Sequence, residues 1–159
     1  MNSFANRLFA LEVSSPLTNT ALLVLRLWLG LTIALNHGWD KLAHFSEKAE
    51  KFPDVTGLGS TTSLCLAVFA EFFCGALLAL GLVTRFAALM LCATMAVAFA
   101  RMHKFALSGP GNGELAFIYL AGFMTILIAG PGRWSADACV FRKPSASDAT
   151  GTNEPRPPS

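Results

Sequence analysis

Apolar residues run in long blocks along this chain, broken by short polar links. The blocks cover about Asn19 to His37, Thr61 to Leu82, Arg85 to Met102 and Glu114 to Gly130. Each reaches the roughly 17–25 residues that a helix needs to cross a bilayer. The first carries on in helical pattern to about Lys41. The later links, "GLVTR" and "HKFALSGPGNG", are short, and short links between long helices make sequence neighbours antiparallel. The pattern predicts an all-α integral membrane protein, an antiparallel four-helix bundle with spans over about 19–41, 61–82, 85–103 and 114–130 inside a membrane domain at 19–142.

The flanks and the first link read differently. Residues 1–18 form a head in which Phe4, Leu8 and Leu11 suit an interfacial helix, and the Pro-, Ser- and Thr-rich tail at 143–159 reads as disordered. Between the first two spans, Leu42, Phe45, Ala49 and Phe52 recur at helical spacing, with Glu47, Lys48, Glu50 and Lys51 mostly opposite. That predicts an amphipathic helix at the membrane interface, stopped by Pro53. The first apolar run is interrupted by Arg26 and has no small-residue cleavage site after it, so it reads as a retained span rather than a signal peptide.

Composition agrees with a membrane location. Hydrophobic residues make up 53% of the chain and charged residues 14%, against about 25% charged in ordinary domains; the mean hydropathy is +0.52. The net charge of +2 comes from scattered basic residues, with no dense Lys/Arg run to hold nucleic acid. Cys65, Cys74, Cys92 and Cys139 form no C-x-x-C pair, which argues against a thioredoxin-like or zinc site, and no metal is expected. Lys and Arg near the span ends divide evenly between the two sides. If Lys41 and Arg101 face the bundle instead of the loops, both termini are cytoplasmic.

The ionisable residues inside the blocks carry the candidate chemistry. A charge at the bilayer centre costs about 2.5–3.5 kcal/mol on insertion scales, so each needs a partner, a wet cavity or a neutral form. Glu71 lies about ten residues into the second span, roughly 15 Å along it. It is expected to pair with Arg26, or with a basic cluster one or two turns outward. On the first helix Arg26, Gly30, Ile33, His37, Lys41 and His44 follow at steps of three or four and so share one face. "FARMHKF" brings Arg101 and His103 to the same outer end, and "NGELAF" starts Glu114 there. Arg26, His37, Lys41, Glu71, His103 and Glu114 are therefore the candidates for ligand binding or proton relay. Snorkelling to the headgroups is an equal reading for Lys41, Arg101 and His103 taken singly. For Glu114 an N-terminal carboxylate favoured by the helix dipole stands ahead of a catalytic one. Asp137 in "GPGRWSAD" reads as a cap or interface residue. Gly30 with Ala34, and Gly75 with Ala79, give the small-x-x-x-small spacing that lets membrane helices pack closely.

The stretches "LRLWLGLTIALNHGWDKL", "FPDVTGLGS", "AEFFCGALLALGLVTRFAAL", "MHKF", "GELAFIYL" and "GPGRWSAD" follow the order and spacing of the DoxX family, which the chain resembles over roughly residues 20–137. The resemblance implies a small four-helix protein of the bacterial inner membrane. It also implies that Arg26, His37, Gly38, Lys41, Glu71, Gly75, His103 and Glu114 match the family's polar and glycine signature. Some members resemble the small subunit of a thiosulfate:quinone oxidoreductase, others are linked to oxidative-stress complexes, and a related eukaryotic branch is a receptor-assembly chaperone.

The residues fit two functions. In the first, the protein is an accessory redox subunit: His37 or Lys41 hydrogen-bonds a quinone carbonyl, and Glu71 or Glu114 relays protons. The chain has no flavin or dinucleotide fingerprint, no dithiol and no haem attachment motif. As an enzyme it would therefore act only as a membrane subunit of a quinone-linked oxidoreductase, beside a soluble partner. A bis-His haem on His37 and His103 ranks below the quinone. In the second, the protein is a membrane scaffold or assembly factor whose buried charges hold the bundle together. The expected partners are the lipid bilayer, a soluble oxidoreductase and a second copy of the chain.

Overall fold

The computed structural model describes residues 15–140. The expected interfacial helix around Phe4, Leu8 and Leu11 and the expected disordered tail lie outside the described residues. Among the described residues the chain is helix and loop, with no strand. The helices are α1 (Pro16–Ala43), α2 (Phe45–Lys48), α3 (Ser60–Leu80), α4 (Thr84–Met102), α5 (Glu114–Ala129) and α6 (Ala136–Val140). Pro16 opens α1 where its missing N–H costs nothing. Gly81, at φ 71°, closes α3 in the left-handed conformation that glycine adopts without strain.

Three helices, α1, α3 and α4, are long and apolar enough to cross a membrane. The fourth expected span is shorter: α5 has 16 residues, about 24 Å of helix against a hydrocarbon core of about 30 Å. Contacts run between α1 and α3, α3 and α4, α4 and α5, and α5 and α1. The core between them is built from Ile33, Leu78, Leu91, Phe123 and Ile126, all nearly inaccessible, with Cys74 and Cys92 packed among them as small apolar groups. Outward faces carry exposed Val24, Leu27, Leu31, Phe117 and Ile118, the surface a lipid solvent requires. The chain is an α-helical membrane protein.

Small residues set the α1–α3 distance. A Cβ on Gly30 would lie 2.7 Å from the Gly75 carbonyl oxygen and 2.8 Å from the Ala79 nitrogen. One on Gly38 would lie 2.6 Å from the Phe72 Cα. Backbone therefore meets backbone at two levels of the same pair of helices.

Each of the three long helices contains a π-helical turn: Ala34–Gly38 in α1, Phe69–Cys74 in α3 and Ala98–Met102 in α4. A π turn carries one more residue than an α turn and re-aims the side chains beyond it. The single face expected from Arg26 to His44 is broken by this. Lys41 still points inward, whereas His44 is exposed and bonds to Asp40 outside the helix cluster.

The amphipathic link is only partly helical. α1 runs on to Ala43, His44 breaks the helix at φ −109°, ψ 33°, and α2 adds four residues. Leu42, Phe45, Ala49 and Phe52 are half-buried and Glu47, Glu50 and Lys51 exposed, so the polarity pattern is real although one continuous helix is not. Lys48 reaches back to the Asp40 carboxylate. The next loop is tied together around Asp54, whose carboxylate accepts from Gly57 N (2.8 Å), Gly59 N (3.0 Å) and Ser63 Oγ (3.0 Å).

Candidate functional site

Over Ser60–Val68, α3 leans on Trp39–Ala43 of α1 more than on α4 or α5. The wedge left open is a cavity of about 480 Å³, inside the range of about 300–1,000 Å³ usual for small-molecule sites. Its wall is mainly apolar: Ile33, Ala67, Met95, Ala98 and Ala116 are among the residues that form it. His37, Lys41, Glu71 and His103 supply its ionisable groups, and the π turns of α1, α3 and α4 all contribute residues to that wall.

Glu71 sits in the α3 π turn, 6% exposed, and Lys41 Nζ donates to its Oε2 at 2.5 Å. Of the two partners expected for Glu71, the outward basic cluster supplies it and Arg26 does not. Gly38 makes the contact possible, because only its bare backbone fits against Glu71 and Phe72 and brings the next turn of α1, with Lys41, over the carboxylate. Lys41 Nζ also lies 3.4 Å from the His37 carbonyl oxygen.

His37 is half-buried in the wall, its ring edge-on to Tyr119 with centroids 6.1 Å apart. Its ring nitrogens take no hydrogen bond among the described residues. His103 lines the outer end of the cavity, and its Nδ1 lies 2.7 Å from the Gly111 carbonyl oxygen. A carbonyl can only accept, so Nδ1 carries the proton and Nε2 of the neutral ring is an acceptor. Gly113 lets the α4–α5 loop close on this imidazole, since a Cβ there would meet the His103 Cβ at 2.7 Å.

His37, Lys41, Glu71 and His103 thus share one cavity. Glu114 does not join them: it is exposed at the start of α5, outside the cavity wall, and its backbone N–H donates to Asn112 Oδ1 at 3.1 Å. Arg101 is exposed too, beside Pro53, Asp54 and Val55.

Arg26 lies elsewhere. It is 1% exposed, and its Nη2 donates to the Trp134 carbonyl at 2.5 Å, with Gly81 pressed against the guanidinium. Around it, Asn19 Oδ1 accepts from Arg133 N at 2.7 Å, and Asp137 accepts from Val83 N (2.7 Å) and Thr84 N (2.9 Å). Asp137 is therefore a cap for α4, supplied from a segment far along the chain. Together these bonds fasten the segment after α5 across the start of α1 and the α3–α4 turn. That segment borders a cleft of about 420 Å³ lined by Val83, Thr84, Arg85, Pro131 and Asp137, where both oxygens of the acid are already bonded to backbone N–H groups.

Sequence reasoning missed Tyr119, Phe52, Val55 and Thr56, all in the cavity wall. Tyr119 is the chain's one tyrosine, set in a mostly apolar helix with a hydroxyl to satisfy; it lies near Thr32. That hydroxyl was the available signal. For the 52–56 loop the signal was Asp54 ahead of two glycines and a serine, the makings of an Asx-type turn.

An α-helical membrane protein with a polar cavity beside its 44–59 and 103–113 loops is the class these features define. The DoxX family model matches residues 21–104, more than half of the chain, and the chain belongs to the DoxX family. The match runs from within α1 to just past α4 and ends before α5 and the "GPGRWSAD" segment. No curated protein matches the chain, and no solved structure does.

Proposed function

We propose that this DoxX-family membrane protein binds a quinone or a similar small amphipathic molecule in the cavity, as the accessory membrane subunit of a soluble oxidoreductase. The observation that carries the reading is one buried ion pair, Lys41–Glu71, opening with an unbonded imidazole, His37, onto an otherwise apolar space. An apolar pocket with a few convergent polar groups suits a flat ring with carbonyl oxygens. In this reading Lys41 and His37 are donors to a quinone oxygen, and Glu71 with the Nε2 of His103 passes protons. Arg26 and Glu114 have no place at the ligand.

The same proposal takes α5 as a fourth crossing of an antiparallel bundle in a bacterial inner membrane, with both termini cytoplasmic. Arg85 and Arg133 on the terminal side support that orientation, as does Lys41, which is drawn into an ion pair and away from the loops. Self-association and docking of the oxidoreductase complete the picture.

Mass and absorption spectra of the full chain purified in mild detergent test the reading, with Glu71→Gln and His37→Ala as variants. A quinone that co-purifies with the wild type and is lost from both variants supports it. A haem spectrum or an empty wild type sinks it. The tight Lys41–Glu71 pair also fits the scaffold reading, in which these variants lose thermal stability and nothing else.

A further inference from the structure

The cavity wall is not equally buried all round. Glu71, Met95, Ala116 and Tyr119 are inaccessible from outside, whereas Leu66 is 50% exposed, Val97 38%, and Ala93 is exposed as well. These three line the cavity and are exposed within the spans, whereas the other exposed apolar residues of the wall, Met102 and Leu115, stand at helix ends. Leu66 belongs to α3 and Ala93 and Val97 to α4, two of the helices able to cross a membrane. Measured from the cavity ends of their helices they lie about five to nine residues in, roughly 8–14 Å, which is the depth of acyl chains and not of water. At the loop end the wall is formed by Phe52, Val55 and Thr56, on the loop that Asp54 holds together.

From this geometry we infer that the cavity is loaded sideways from the bilayer, through the gap between α3 and α4. Its ligand is then an amphiphile with one tail. The polar ring or head meets Lys41, Glu71 and His37, and the tail leaves over Leu66, Ala93 and Val97 to lie among the lipids. A ligand without a tail gains nothing from this gap. This rests on the cavity being the ligand site proposed above, and narrows the ligand to a class defined by shape: a compact polar head on a single apolar chain. The gap between α3 and α4 exists because Ser60–Val68 leans on α1, so the feature that makes the cavity also makes its door.

Binding of a decyl-tailed benzoquinone and of the same quinone ring without its tail, to the full chain in lipid nanodiscs, tests the inference. At equal total concentration the wild type is expected to retain the tailed compound about tenfold or more better than the bare ring, because the tail partitions it into the bilayer on which the gap opens. Ala93→Trp and Leu66→Trp, which fill the gap, should remove that preference at equilibrium and slow the uptake of both compounds. Wild type that binds both compounds alike, or Trp variants that keep the preference, overturn the lateral route and leave the cavity reading standing. Loss of both compounds in both Trp variants also overturns it, since the filled space is then the head's. Wild type that binds neither compound overturns the quinone reading and this inference with it.

Discussion

Both ends of this helix cluster bury polar groups, and they treat them differently. At one end Asn19, Arg26 and Asp137 bond to backbone of residues 83–84 and 133–134 in a closed space, where Nε and Nη1 of Arg26 are buried without a partner among the described residues. At the other end Lys41 and Glu71 meet each other, His37 meets only a ring, and all of them face open space. Arg26 is the more deeply buried charge of the two regions, yet it is a latch. Depth alone does not mark a ligand site. Side chains paired to backbone fix a segment, whereas side chains left with spare capacity beside a cavity can change partners.

Variants can break this contrast. The largest effect is expected from Lys41→Met, which leaves Glu71 buried without its cation and should lower stability by about 3 kcal/mol, read as a fall in thermal midpoint in detergent. The double variant Lys41→Met/Glu71→Leu should recover most of that stability, because an apolar pair of similar size can replace a buried ion pair, but it should not recover ligand. Recovery of both would move the Lys41–Glu71 pair into the same class as the latch.

Next comes Gly38→Ala. The new methyl group meets Phe72 and Glu71 backbone, an overpacking that costs about 1–3 kcal/mol and separates Lys41 from Glu71, so ligand retention should fall together with stability. Asp137→Ala removes a cap at the opposite end for about 1 kcal/mol, and ligand binding should not change. A loss of ligand there would show that the two regions are coupled.

The smallest effect is expected at Asp54. Desolvation pushes its carboxyl up, but Gly59 N–H, the Ser63 hydroxyl, Gly57 N–H and the Thr56 hydroxyl act the other way and leave it lowered from 3.8. A group lowered in the folded state stabilises fully above its unfolded value and stops doing so as pH falls through the folded one. Acid should therefore loosen the 52–59 loop below about pH 4 in the wild type, seen as faster amide exchange, and Asp54→Asn should remove that dependence.

Much of this was legible in the chain. Long apolar blocks announced helices in a membrane, and Gly30 and Gly75 announced a close helix pair, because both signals are local. The family was legible from the run of motifs through α1 to α4. The partner of Glu71 was legible only as a choice between Arg26 and the outer cluster. Helical spacing places residues on a face but not at a height, and height is set by where α1 and α3 cross. The π turns left no signal, since Ala34–Gly38 and Phe69–Cys74 contain nothing that an α turn would refuse. For Glu114 the position at a helix start fixed the end of the molecule it occupies, and not the direction it faces.

Those π turns bear on how this chain tolerates insertions and deletions. Each is an α-helix holding one surplus residue, so removing a single residue from Ala34–Gly38 would restore ordinary helix rather than break it. Everything beyond would then turn by about 100°, and Lys41 would swing away from Glu71. A deletion harmless to the helix would erase the site, while most substitutions nearby would leave it in place. The reading frame of the helix is thus a property of the site, written in residue count rather than in residue identity.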